Sequence, residues 1–358
     1  MTESASHTRQ RARLETIRST DKRLHRFVWL PVIVVAAGLL VAVATRMSGW
    51  WGVGGATLTA EPTDHATPVS SGLTTPPQSP TLPTQSTIPA PSDTPAMVAP
   101  QPVMNPAGAT IEDRFLPPAG FQRVAVQPGS YAEYLRSYPL RPDGTHVKFY
   151  DGAVKPDNAY LAVADMDLRG SRLQQCADTV LRFHAEYLYG KGDHSAIRYH
   201  FVSGFDFQWD KWRQGYRVKV DGNNVSWVKG GRADSSEEAF WGYLQKLFNY
   251  ASTLSLEHYD MQRVDPKELS IGDTFLKGGS PGHIVLVVDM AEDPVTGRKC
   301  FILLQGFMPA QDAQILRNLE DEALSPWVML PDEPSGDIHT PEYTFAWADA
   351  WRFRETED

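Results

Sequence analysis

From Phe27 to Thr45 the chain runs nineteen residues without a charge, rich in Val, Ala and Leu. That is just enough helix to cross ~30 Å of hydrocarbon, and no other stretch of the 358 residues comes close. The segment 27–46 therefore reads as one transmembrane helix or uncleaved signal anchor, which splits the chain into two unequal parts. Before it, residues 1–26 hold seven basic side chains between Arg9 and Arg26, against Glu3, Glu15 and Asp21. That excess keeps the N-terminus in the cytoplasm as a basic tail and sends the rest outside. Trp50-Trp51 suits an interfacial anchor. Ala42-Val43-Ala44 also has the small-x-small form of a cleavage site; cut or retained, the segment exports the remainder of the chain.

The next stretch cannot fold alone. Pro62 to Pro118 holds fourteen of the 27 prolines among Thr, Ser, Gln and Ala, with no hydrophobic period. Too little apolar surface is available to offset the entropy of ordering, so residues 47–113 read as an extended, partly polyproline II stalk. At ~3.1 Å per residue, such a stalk reaches on the order of 100 Å from the membrane. A single folded domain is left, 114–354, a size that suits one large domain.

Charge narrows what this domain binds. The chain totals −9; seven basic against three acidic residues put +4 in the tail, leaving −13 for the remainder. Nucleic-acid binding depends on Lys and Arg neutralising phosphates, so nucleic acid is excluded as a partner. No pair of His at helical metal spacing and no closely spaced Cys pair is present, so neither a metal nor a cofactor is expected.

Within the domain, Leu173 to Tyr189 predicts an amphipathic helix, with Ser171 and Gln174 as its capping box. Ser236 to Leu256 predicts a second. Tyr131 to Tyr138 reads as a short helix, and Thr145 to Tyr150 and Arg217 to Val220 as strands. Ile284 to Met290 and Cys300 to Gln305 predict a hairpin across the turn signals of Glu292 to Arg298. Helices first and a hairpin-built sheet after them indicate an α+β fold.

Three residues in this arrangement can do chemistry together: Cys176 near a helix start, His283 at the mouth of a strand after a Gly-rich loop, and Gln305 at the end of the next strand. A helix N-terminus and a nearby imidazole favour a thiolate. The His then serves as base and acid while a third side chain fixes its ring. Pairing Met290 near Lys299 puts His283 opposite Gln305 or Gly306, and leaves Asp289 roughly 20 Å from His283, too far to orient it. The same count puts Cys300 far from His283, so a Cys176–His283 dyad and a Cys176–Cys300 disulfide exclude each other. Rival readings stand beside the dyad. Cys176 lies on the helix's apolar stripe as a small hydrophobe would, and His283 can serve as a loop histidine bonded to backbone. His184, eight residues along the Cys176 helix, is ~12 Å away and too far to be its base. Glu237-Glu238 and Glu320-Asp321-Glu322 read as solvated faces, and Trp209, Trp212 and Trp227 as core before sugar platforms.

The blocks QQCADTVLRFHAEYLY, FVSGFDFQWDKWRQGYR, SPGHIVLVVDMA and QGFMPAQD resemble a bacterial family known as domain of unknown function 4846, over Arg114 to Phe353. That family brings no established activity. More distantly, GDTFLKGGSPGHIVLVVD looks like the His-bearing strand-loop-strand of papain-like amidases of the NlpC and CHAP kinds. The likeness implies a papain-like domain with Cys176 as nucleophile, His283 as base and Gln305 as orienting residue. It departs from them in the hundred-odd residues between Cys176 and His283, and in Gln175 before the nucleophile. With the export signal, it implies an anchor in the bacterial inner membrane and a periplasmic cysteine hydrolase acting on a cell-wall peptide or protein substrate. The alternative is a non-catalytic wall- or protein-binding domain on the same scaffold.

Overall fold

A computed structural model describes residues 103–354. The expected basic tail, membrane segment and most of the stalk lie outside the described residues. Among the described residues, no helix is long and apolar enough to cross a membrane.

The helices are α1 (Ile111–Arg114), α2 (Tyr131–Arg136), α3 (Cys176–Lys191), α4 (Trp209–Arg213) and α5 (Glu237–Phe248). The strands begin with β1 (Gln122–Arg123), β2 (Tyr160–Val163), β3 (Arg198–His200), β4 (Asp206–Gln208), β5 (Tyr216–Asp221) and β6 (Asn224–Lys229). Then follow β7 (Met261–Arg263), β8 (Thr274–Lys277), β9 (His283–Glu292), β10 (Lys299–Gln305) and β11 (Gln314–Leu316). The last are β12 (Val328–Met329), β13 (Asp337–His339), β14 (Thr344–Ala346) and β15 (Ala350–Phe353). The main sheet runs β2-β11-β10-β9-β8-β15-β7, with β1 beside β9 and β12 beside β10. Its pairings are antiparallel. The fold is α+β.

Alternation along β9 and β10 supplies two apolar faces. Ile284, Leu286, Val288, Cys300, Ile302 and Leu304 join the larger core with Val180, Leu181 and Phe183 of α3 and Tyr243, Leu244 and Leu247 of α5. Val285, Val287, Met290, Phe301 and Leu303 point the other way, onto Ile338 and Phe345 of the β13–β14 hairpin and Trp347. Every residue of β9 except the last is buried, so this strand runs through the middle of the domain. Truncating a core residue such as Leu181, fully buried, costs about 2–5 kcal/mol.

The folded chain starts earlier than the expected boundary at 114. Leu116 donates to the Val103 carbonyl at 2.9 Å and Asn105 to that of Arg114 at 2.7 Å. Ile111 and Phe115 are fully buried in the larger core, and the buried Arg114 guanidinium donates to the Gly108 carbonyl at 2.8 and 2.6 Å. The flanking prolines hide this from composition, because Ile111 and Phe115 are too few to make a period.

Two further expectations change. Residues 145–150 form no strand, making only the bridges Lys148↔Val154 and Phe149↔Gln311. The second long helix stops at Phe248, and the chain turns through Thr253–Ser255 and the π-helical Leu256–Asp260.

Candidate active site

Cys176 is the first residue of α3, so the helix starts three residues later than the expected Leu173. The expected capping box fails because both of its side chains are used elsewhere. Ser171 donates to Gln245 Oε1 at 2.8 Å. Gln174 is fully buried, accepting from Arg182 at 2.6 Å. The cap falls instead on Gln175, whose N–H donates to Asp178 Oδ2 at 3.0 Å. Cys176 thus stands at the unpaired amide end of the helix, where backbone N–H groups favour negative charge.

Opposing influences act on the partly exposed thiol. Burial pushes it up to about 11, and the Asp178 carboxyl adds to that rise. The N–H groups of Ala177, Cys176 and Ile284 pull the other way. Ile284 directly follows His283, so the helix start and the head of β9 meet at the thiol. Tyr343 stands near this junction: its ring centroid is 5.3 Å from that of His283, and the charge of Cys176 is among the influences on its hydroxyl.

His283 opens β9 and is 2% exposed. Phe307 and Phe345 flank its ring at 4.8 and 5.8 Å. Its Nε2 lies 2.7 Å from Gln305 Oε1. The hairpin achieves this contact by a register different from the expected one. Phe301 pairs with Met290 and Ile302 with Asp289, then Leu303 pairs with Val287 and Leu304 with Leu286. Val288 is the extra residue of a β-bulge. A one-residue slip moves a side chain to the other face. Continued without the bulge, the Phe301–Met290 register would put Gln305 on the face opposite His283. The bulge brings Gln305 to the His283 face, two positions along, within diagonal reach.

Asp289 cannot orient His283, as expected, but it holds this bulge. Fully buried, it accepts from Arg123 at 2.8 Å and Arg136 at 2.6 Å, and from the Met290 N–H at 2.9 Å.

Behind Gln305 lie two residues that no sequence pattern flagged. Gln305 Nε2 donates to Glu342 Oε2 at 2.5 Å, and Lys155 Nζ donates to the same oxygen at 2.6 Å. Lys155 also lies 3.3 Å from Asp157 and sits over the Phe307 ring at 5.6 Å. Glu342, paired with Lys155, accepts the Gln305 NH2 group, so the carbonyl end faces His283. A carbonyl can only accept, hence His283 Nε2 carries the proton and Nδ1 keeps its lone pair. Burial pushes His283 down to about 4; Gln305 opposes that shift and the Lys155 charge reinforces it. The resting site is therefore an uncharged thiol and a neutral imidazole with a bare Nδ1.

Both cysteines are free. Cys300 pairs across the sheet with Ala291 and Met329, so the disulfide alternative is absent. His184 lies against Tyr199 Oη at 2.8 Å and stacks on Phe353. Trp209 and Trp212 are core, and both carboxylate runs are exposed. Among the described residues, no cluster of His, Cys, Asp and Glu could hold a metal ion.

An α+β domain with this Cys-His-Gln arrangement matches the family described as "Domain of unknown function (4846)" over residues 111–352. The chain belongs to that family. No curated protein and no solved structure matches it.

Proposed function

We propose that the domain is a papain-like cysteine hydrolase that cleaves amide or ester bonds, anchored at the inner membrane and working on peptides of the cell wall. The observation that carries this reading is the 2.7 Å His283–Gln305 hydrogen bond, which leaves the other ring nitrogen bare, at a strand head whose next N–H faces the Cys176 thiol. Cys176 Sγ attacks the substrate carbonyl carbon as its proton passes to His283 Nδ1. The amide ends of α3 receive the oxyanion. The leaving amine or alcohol takes the proton from Nδ1, giving a thioester. Water then attacks it with His283 as base, releasing the acid and restoring the thiol. The cell-wall substrate is inferred from the export signal and stalk.

The test is digestion of purified peptidoglycan and its stem peptides by the exported domain, followed as new amino groups. Release that is lost in Cys176→Ala supports the proposal, and equal release by that variant refutes it.

One observation favours a second reading, a non-catalytic wall- or protein-binding domain. Burial holds the thiol up at about 11 and the imidazole down at about 4, so no thiolate–imidazolium pair rests in the site. Wall binding that persists in Cys176→Ala, with no bond cleaved by either form, selects this reading.

A further inference from the structure

The Gln305 amide can sit in two orientations of nearly equal shape, and only one of them leaves a base at His283. With Oε1 toward the ring, Nε2 of His283 is protonated and Nδ1 is bare. Turned over, the NH2 group would demand an acceptor at Nε2 and move the proton to Nδ1. Nothing in β10 itself selects between the two. The selection comes from outside the sheet, where Glu342 Oε2 takes hydrogen bonds from both Gln305 Nε2 (2.5 Å) and Lys155 Nζ (2.6 Å). Gln305 is fully buried and Lys155 nearly so, so water is a poor substitute partner for either.

We propose that Glu342 and Lys155 are positioning residues that set the tautomer of His283, an inference that rests on His283 being the base of the proposed hydrolase. Glu342 offers the amide an acceptor, which fixes the NH2 end. Lys155 occupies the same oxygen with a second donor and supplies the compensating charge at a site where an unpaired carboxylate would be costly. Their effect passes through Gln305 to one ring nitrogen.

Heteronuclear NMR of isotope-labelled histidine distinguishes protonated from bare ring nitrogens and needs no substrate. The unaltered domain is expected to show His283 protonated at Nε2 alone. Glu342→Leu removes the acceptor, and both tautomers should then appear. Glu342→Gln keeps an oxygen that can accept from Lys155 and Gln305 together, so it should restore the single tautomer. Should Glu342→Leu fail to fold, Lys155→Met combined with Glu342→Gln replaces the ion pair by neutral groups of similar size. It frees the residue-342 amide to turn, and both tautomers are again expected. A single Nε2–H tautomer in every folded variant overturns the inference, as does a mixture in the unaltered domain. Iodoacetamide alkylation of Cys176 separates this result from the hydrolase reading. If the tautomer follows Glu342 while Cys176 stays inert throughout, the positioning role stands and the enzymatic role falls.

Discussion

Gly306 shows how tightly the start of the Cys176 helix is held against the end of β10. It follows Gln305 and packs on the first turn of α3. A Cβ built there would lie 2.1 Å from Thr179 Oγ1, 2.9 Å from Thr179 Cβ and 3.0 Å from the Gln175 carbonyl oxygen. Thr179 is not free to swing away at no cost, since its hydroxyl donates to the Gln175 carbonyl at 2.7 Å. Restoring ordinary contact at ~3.5 Å requires the helix start and the strand end to separate by about 1.4 Å at Thr179 Oγ1 and roughly half that at Thr179 Cβ. Gly306→Ala should therefore act twice. Overpacking of this kind costs about 1–3 kcal/mol, which lowers the melting temperature of a domain this size by roughly 2–12 °C. Moving Cys176 by about 1 Å from His283 should also slow its base-assisted reaction by up to ~10²-fold. The assay is iodoacetamide alkylation of Cys176 at neutral pH with a thermal melt on the same samples. Adding Thr179→Ala removes the closest clash and should recover part of both losses. An unchanged alkylation rate in a folded Gly306→Ala domain would refute the claim that this contact sets the site.

Two other perturbations address the charges around the site. Asp178 is buried, and burial raises its carboxyl to about 8. A folded value above the unfolded one means its stabilisation is complete below pH ~4 and is lost as pH rises through about 8, worth a few kcal/mol at ~1.4 kcal/mol per unit. Asp178→Asn keeps an oxygen for the Gln175 N–H and removes the ionisation. Its urea stability should hold across that window while the unaltered domain declines, and its thiol should ionise at lower pH; parallel curves would contradict this. Asp289→Ala leaves Arg123 and Arg136 facing an empty bulge and should cost about 3–5 kcal/mol in urea unfolding. A loss below ~1 kcal/mol would mean the ion pairs add nothing net.

Much of the site is legible in the amino-acid sequence, for reasons that can be named. Cys176, His283 and Gln305 sit at the ends of elements whose periodicity is strong, and the ends of paired strands are forced together. The register is not legible, because the bulge at Val288 lies beside Asp289, whose partners Arg123 and Arg136 come from far along the chain. Local signals misplace the start of α3 for a related reason. Gln174 is a plausible capping residue until Arg182 draws it into the core. Glu342 and Lys155 carry no local signal at all. Each is an ordinary charged residue beside a proline, and only the tertiary fold brings them to one oxygen.

The most direct test of a Cys176–His283 catalytic pair is the pH profile of Cys176 alkylation in the native domain, compared with His283→Ala. With the imidazole near 4 and the thiol near 11, a base-assisted thiol reacts at a rate nearly independent of pH between those values. Without His283, reaction requires the free thiolate, and the rate should climb about tenfold per pH unit toward the thiol's own value. Across pH 5–9 a flat profile is therefore expected for the unaltered domain and a steep one for His283→Ala, with Cys176 as the alkylated residue in both. Two equally steep profiles would show that His283 does not serve Cys176 as a base, and the proposed hydrolase would have no catalytic pair.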